Sequence, residues 1–507
     1  MPTLDPGRPA TRWTLAVLFL VPVLFLLTLK SHRTWAMDGD EPHYVLIAES
    51  LLQDGDLRME NQYPDPHPYL PQSSSPHCVR APDGSLYPHH DIGMAVFLMP
   101  TLFLVHQVVP RVPAAWIAAA RMGDAFKVTV LLFCLQSMIV TGVLALLLFR
   151  YFRDQGIDPR AARYGALLAV LSAPIVTHGY LVYTELYSAT LLVVLLLLMH
   201  RGRSRPANVV WFSLALFVLS WLHVKNFPLC GVLALFWLLD RRSEGGRRPA
   251  AARMAFGGTA VLPALALLLT IVLRMLLHWH YLGTVDLFAE RVPGSRGLSL
   301  AVAPFSLLFN FLDREYGLLF ASPVFLLLPL ALAIEWRVHR AWYRREGWLV
   351  LVYVLGLLPT RDGWAGWSPA ARNLLPVVPL LWVPVVRVLA LGVPRWRLLW
   401  VPVALWAVVT ACLWQNPQWA WMSGDGTNRW MRALAPGPFD WQRWLPTFTA
   451  SDGAFLACSL AWLAAIGVAS AWGFRVLTRG RGDGAGVPSG AVAGARGRTD
   501  GGRGAPG

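Results

Sequence analysis

Apolar runs long enough to cross a bilayer recur along this chain, and they leave it few ways to fold. The first, WTLAVLFLVPVLFLLTL, covers residues 13–29. No water is present in the hydrocarbon layer to satisfy backbone N–H and C=O groups, so such runs must close their hydrogen bonds internally as helices. Further runs lie at about 126–150, 161–181, 183–200, 207–222, 226–239, 255–277, 316–334, 347–360, 374–391, 397–414 and 453–475. Over 507 residues the chain is 55% hydrophobic, only 14% charged and holds 24 tryptophans, more apolar surface than a soluble core absorbs. The reading is an all-α polytopic membrane protein of about 12 transmembrane helices.

The net charge of +15 does not point to nucleic acid. Its sources are short clusters between apolar runs: RGRSR (201–205), DRRSEGGRR (240–248) and EWRVHRAWYRR (335–345). This is the pattern the positive-inside rule leaves on the cytoplasmic face. The first run lacks a small-x-small cleavage site after it and reads as a signal anchor. The run IGMAVFLMPTLFLVHQVV (92–109) is apolar enough to span, but counting it would turn every later arginine cluster outward. It is therefore expected to lie along or dip into the outer leaflet, interrupted at Pro100, with both termini cytoplasmic. The first extracytoplasmic loop then covers 30–125 within a membrane domain of 1–479, and the Gly- and Arg-rich stretch 480–507 reads as a disordered cytoplasmic tail. Four of the five cysteines lie in or beside apolar runs, so no disulfide framework is implied.

On that topology the costly polar residues collect on one side. They include Asp38, Asp40, Glu41, His43, His77, His89, His90, Asp91, Tyr183, Glu185, Lys225, Arg314, Tyr316 and Arg372. Polar groups gathered at span ends on one face indicate a single site. The densest group opens the first loop, in TWAMDGDEPHYVLIAESLLQDGDL (34–57). Asp40 or Glu41 is placed to cap a helix with Pro42 in its first turn. Tyr44, Ile47, Ala48, Leu51 and Leu52 fall on one face before Gly55, which predicts an amphipathic helix on the bilayer surface. A cap needs one acid, whereas Asp38, Asp40 and Glu41 repel one another unless a metal, a cation or a proton lies among them.

A span, a short exit and an acidic pair opening a juxtamembrane helix resemble the GT-C superfamily of membrane glycosyltransferases, including bacterial members of the protein O-mannosyltransferase and lipid A aminoarabinose transferase type. YPHHDIGMAVFLMP (87–100) is similar to the second juxtamembrane segment of that family. NFLDREYGLLFASPVFLL (310–327) and GWAGWSPAARNLLPVVPLL (363–381) resemble later motifs, so the resemblance covers most of the chain. It implies a GT-C-like bundle in a bacterial inner membrane. It also implies a polyprenyl-phosphate-linked sugar donor, a lipid, glycan or protein acceptor, and chemistry at the extracytoplasmic face among membrane lipids.

The implied reaction is inverting transfer, in which one carboxylate accepts the proton of the acceptor hydroxyl. Asp40 matches the aspartate of the family's pair and takes the role of base; Glu41 orients the base or the acceptor, with Asp38 beside them. The leaving phosphate calls for cations, and Lys225, Arg314 and Arg372 end or begin spans on the right side. Snorkelling basic side chains at an interface are the plain alternative for each. His43, His89, His90, Tyr183, Glu185 and Tyr316 are expected to line the substrate. Trp364 and Trp367 of WAGW suit either sugar stacking or the aromatic belt of the interface. Asp38, Asp40, His89, His90 and Asp91 are ligand types for a divalent cation, Mg or Mn by their carboxylates, and since family members differ in needing one the metal stays open. Rival readings are a polytopic transporter and a non-catalytic lipid- or glycan-binding member of the same fold.

Overall fold

The computed structural model describes residues 9–33, 37–63, 76–119, 125–200, 206–244, 261–287, 289, 303–358, 368–392, 397–434 and 440–479. Residues 480–507, Trp364 and Trp367 lie outside them. The longer helices, numbered in chain order, begin with α1 (Pro9–Arg33), α2 (Glu41–Glu49), α3 (Ile92–Val108) and α4 (Ala125–Asp154). After them come α5 (Pro159–Val170), α6 (Thr184–His200), α7 (Pro206–Leu222), α8 (Phe227–Glu244) and α9 (Leu262–Leu282). The remainder are α10 (Ala303–Leu312), α11 (Leu328–Val338), α12 (Trp348–Leu357), α13 (Val378–Gly392), α14 (Trp400–Gln415) and α15 (Asp452–Arg479). Seven helical stretches among the described residues are long and apolar enough to cross a membrane, and four shorter apolar helices accompany them. The chain is an all-α polytopic integral membrane protein.

The bundle is continuous. α1 packs along α4, α4 along α5 and α6, α6 along α7, and α7 along α9, while α11 packs on α13 and α15. One core of buried Leu, Val, Ile, Phe, Tyr and Trp side chains runs through these contacts. The expected span 374–391 opens as a 3-10 turn, Arg372–Val377, before α13, and two other expected spans are interrupted outright. The 161–181 run stops at Val170 and resumes as a four-residue turn, Ile175–His178, just after Pro174. The 316–334 run is split into Leu318–Ala321, Pro323–Leu327 and α11, again at a proline, because a ring nitrogen has no N–H for the helical ladder.

The first loop departs most from expectation. α2 is not an amphipathic surface helix, since all nine residues from Glu41 to Glu49 are buried. α3 packs along it and walls it off. α3 also runs through Pro100 without interruption; Pro100 and Val96, whose carbonyl the proline cannot engage, both lie on its exposed side. Between the two helices a small antiparallel hairpin pairs Cys78–Arg80 with Leu86–Pro88 around the turn APDGS. Gly93 lets α3 approach the end of α7 so closely that a Cβ there would strike the Trp221 carbonyl. Backbone cannot give way as a side-chain tip can. Gly93→Ala is therefore expected to cost about 1–3 kcal/mol, read as a lowered melting temperature of the detergent-solubilised protein, and an unchanged melting temperature would show that α3 is free to shift.

Candidate active site

The three acids of the first loop avoid mutual repulsion by facing three ways. Asp38 is exposed, and its Oδ1 accepts from the Gly39 N–H at 2.8 Å. Glu41 is fully buried; its Oε1 accepts from the Val182 N–H at 2.7 Å and its Oε2 from the Asp38 N–H at 3.1 Å. It fastens the first loop to the entry of α6. Asp40 stands at the helix N-cap but makes no side-chain cap there. Its Oδ2 instead accepts from Arg372 Nη2 at 2.5 Å.

Arg372 is the hub. Its Nε donates to Glu185 Oε1 at 2.9 Å, and Lys225 Nζ reaches the same oxygen at 2.5 Å. The guanidinium carbon lies 4.3 Å from the centre of the Tyr183 ring, a cation–π contact, and the Tyr183 hydroxyl donates to the Asp38 carbonyl at 3.4 Å. Glu185 Oε2 accepts from Thr184 Oγ1 at 3.1 Å. Two carboxylates and two cations from four distant stretches of sequence thus share one largely buried cluster at helix ends. The backbone aims Arg372 into it: Ala371 is held at φ 58°, a conformation that costs a residue with a Cβ about 1–2 kcal/mol, and its N–H donates to the Tyr316 carbonyl at 2.8 Å.

On the other side of Asp40 lie histidines. His77 Nδ1 and His90 Nε2 are 4.0 and 3.9 Å from Asp40 Oδ1 and 3.0 Å from each other. His43 stacks on His77 with ring centroids 3.7 Å apart, and its Nδ1 pairs with the Tyr63 hydroxyl at 2.8 Å. Burial, compounded by the neighbouring histidines, lowers His43 to about 2. Burial likewise lowers His90 to about 3 against the pull of Asp40, and it lowers His77 as well. Burial opposes ionisation of Asp40, yet Arg372 and the two histidines hold its carboxyl well below the usual range. At neutral pH Asp40 is charged and the rings are neutral. One oxygen of Asp40 and one nitrogen each of His77 and His90 lie within 4.8 Å of one another, a donor set of the kind that holds a divalent cation, and the neutral rings suit ligation.

Several expected residues have other partners. Asp91, a candidate metal ligand, pairs with Arg274 and accepts from the Val224 N–H at 2.8 Å, so it ties α3 to α9 and to the loop before α8. Arg314, a candidate phosphate ligand, donates to the Gln442 carbonyl at 2.8 Å and to the Gly426 carbonyl; it secures the segment after α14 and stands outside the Asp40 cluster. Tyr316 is buried and stacks on Phe309, with ring centroids 4.9 Å apart. His89 lies against His90 in an edge contact, and its N–H donates to the His77 carbonyl at 2.9 Å. His77, read in the sequence only as one of the polar residues on the side of the site, had no role assigned to it. The hairpin register, Cys78 opposite Pro88, is what brings it beside His89 and His90, and the Pro-Asp-Gly turn was the available signal.

No family model and no curated protein matches this chain. Among solved structures it is similar to the archaeal oligosaccharyltransferase AglB from Archaeoglobus fulgidus, in complex with an inhibitory peptide and a dolichol-phosphate. The identity is 13% and the TM-score 0.40, over 92% of this chain and 56% of that one. This chain spans little more than half the length of that relative.

The neutral histidines make stability depend on pH. A histidine free in the unfolded chain takes up its proton near pH 6.5, whereas His43 and His90 in the folded protein do so only near 2 and 3. Between those limits the unfolded state binds more protons, so stability falls as pH falls, by at most about 1.4 kcal/mol per pH unit for each ring. The melting temperature is expected to drop between pH 7 and 5, and His43→Gln should flatten that slope. An equal slope in parent and variant would mean that His43 takes up its proton at the same pH in the folded and unfolded chains.

Proposed function

We propose that this protein is a membrane glycosyltransferase that moves a sugar from a polyprenyl-phosphate-linked donor to an acceptor hydroxyl at the extracytoplasmic face, with inversion. The observation that supports this most directly is the chain Asp40–Arg372–Glu185–Lys225, which joins a carboxylate suited to proton acceptance to two cations suited to a phosphate. Arg372 is the link between the two halves of the reaction. The donor phosphate competes for its N–H groups and for Lys225, and as those bonds transfer, the Asp40 carboxylate is released from its strongest partner. Asp40 then accepts the proton of the acceptor hydroxyl. The acceptor oxygen bonds to the anomeric carbon as the bond from that carbon to the phosphate oxygen breaks. Charge developing on the departing phosphate falls on Arg372 and Lys225. Glu41, bonded to the Val182 N–H, is a positioning residue that keeps the first loop against the entry of α6.

A divalent cation, when bound, would be held by Asp40 Oδ1, His77 and His90, and would supply positive charge beside the reacting groups. Two imidazoles and one carboxylate suit zinc or manganese better than magnesium. A transporter usually carries its ionisable groups on broken helices near the bilayer midplane. Here Asp40, Glu185, Lys225 and Arg372 all stand at or beside helix ends, which favours a reaction at the membrane surface.

The reading requires the site and the basic loops to lie on opposite sides of the membrane. A cysteine introduced into RGRSR (201–205) should label only from the cytoplasm, and one in TRDGWAGWS (360–368) only from outside. Labelling of the first from outside overturns the orientation.

Asp40→Asn keeps the shape of the side chain and removes the proton acceptor, so transfer should fall by about 10²-fold or more while donor binding persists. Asp38→Asn should stay near the parent rate, and the reverse result moves the base to Asp38. Lys225→Met should weaken donor binding by about 2–5 kcal/mol, and unchanged binding would leave Lys225 as a partner of Glu185 alone.

A further inference from the structure

The segment between α14 and α15 forms a cleft that the transfer chemistry leaves unused. After Gln415 the chain makes a helical turn, Pro417–Ala420, then a loop with positive φ at Gly424 and Gly426, then a short helix, Arg429–Leu434. An open cleft of about 350 Å³ lies among them, lined by Trp419, Ser423, Asp425, Thr427, Arg429 and Arg432. That volume is in the range of ligand-binding pockets.

The cleft is braced from below. Glu315 accepts from Ser423 Oγ at 2.8 Å and from the N–H groups of Gly424 and Gly426 at 2.9 and 2.8 Å, so these backbone donors are already taken. Side chains are left to face a ligand. Asp425 Oδ1 accepts from the Thr427 N–H at 2.8 Å and lies 2.5 Å from Ser423 Oγ, whose single proton it shares with Glu315, and this holds the carboxylate at the mouth. Among the described residues Arg429 reaches only the Gln418 carbonyl, at 3.4 Å. Among the described residues no carboxylate pairs with Arg429 or Arg432, in a chain where Arg274, Arg345, Arg372 and Arg387 each have one.

We infer that this cleft binds an anionic saccharide, the carboxylate- or phosphate-bearing sugar of an acceptor glycan. An indole offers a flat apolar surface to the axial C–H face of a pyranose. Asp425, Ser423 and Thr427 supply acceptors and donors for ring hydroxyls. The two guanidiniums supply forks that match a carboxylate or phosphate. A smaller pocket shares Trp419, Thr427 and Arg429 with the cleft and extends to Glu315, Thr177 and Ala370. The Trp421 ring lies 6.5 Å from that of Tyr183, the residue under Arg372. Trp421, which lines that smaller pocket, thus lies between the cleft and the Arg372 cluster. The glycan's role as acceptor rests on the transfer reading, but its binding does not.

The test is calorimetric titration of the full-length protein in phosphatidylcholine nanodiscs with tetragalacturonate and, separately, with neutral maltotetraose. The uronate should bind at least about tenfold tighter than the neutral glycan and weaken with added salt. Arg432→Gln, at an exposed position, and Arg429→Gln should each weaken uronate binding by about tenfold, and Trp419→Ala should weaken both glycans. Equal affinity for the two glycans, or variants that bind as the parent does, overturns the inference. So does loss of uronate binding when phosphatidylglycerol replaces phosphatidylcholine, which would give the arginines to lipid phosphates. Asp40→Asn should bind the uronate as the parent does. If Asp40→Asn also retains transfer while the arginine variants lose uronate binding, Asp40 is not the base and the cleft stands; if the parent protein transfers no sugar, the transfer reading fails and uronate binding still tests the cleft.

Discussion

The pairing of Arg372 with both Asp40 and Glu185 is the contact on which the rest of the arrangement depends. Removing two carboxylates and a guanidinium from water costs several kcal/mol per ion, and only their mutual contacts offset that cost. Arg372 therefore has no low-energy alternative within the bundle unless another anion arrives. A buried pair of this kind adds little net stability, but it selects one packing of its helices, because any other leaves a charge alone. Here it joins the start of α2, the start of α6 and the entry to α13, and Lys225 extends it to the loop before α8.

A second ionic group has the same effect at the far end of the bundle. Arg387 on α13 pairs with Glu335 on α11 and donates to the Gln155 carbonyl at 2.7 Å. Gln155 in turn donates to Glu346 at 3.0 Å, and Arg345 reaches Glu346 at 2.6 Å. Glu185 opens α6 and His200, 4.0 Å from Glu346, closes it, so the two groups are separated by about 22 Å of helix. With charge clusters at both ends the helices cannot slide along one another. The Arg372 cluster is thus held by the length of the bundle as well as by its own contacts.

The histidine face of Asp40 is built differently. It rests on the hairpin at 78–88, whose register sets His77 against His90. One carboxylate therefore meets a permanent cation through one oxygen and neutral rings through the other. Each oxygen of Asp40 thus has a separate environment.

Much of this was legible in the sequence. Membrane class, helical architecture and most helix positions follow from the apolar runs, because in hydrocarbon a backbone has hardly any alternative to the helix. Asp40, Glu185, Lys225 and Arg372 were legible as costly polar residues at span ends, since a membrane protein retains such groups only for a reason. Their partners were not. Arg314 and Arg372 carry the same signal in sequence, yet one holds a carboxylate pair and the other two backbone carbonyls. The burial of α2 and the recruitment of His77 were hidden as well, because both depend on what packs beside them. The sequence by itself determined which segments are helical and which residues are too polar to be idle. Tertiary structure alone decided which of those residues meet, because a charge separated by hundreds of residues from its partner carries no local trace of it.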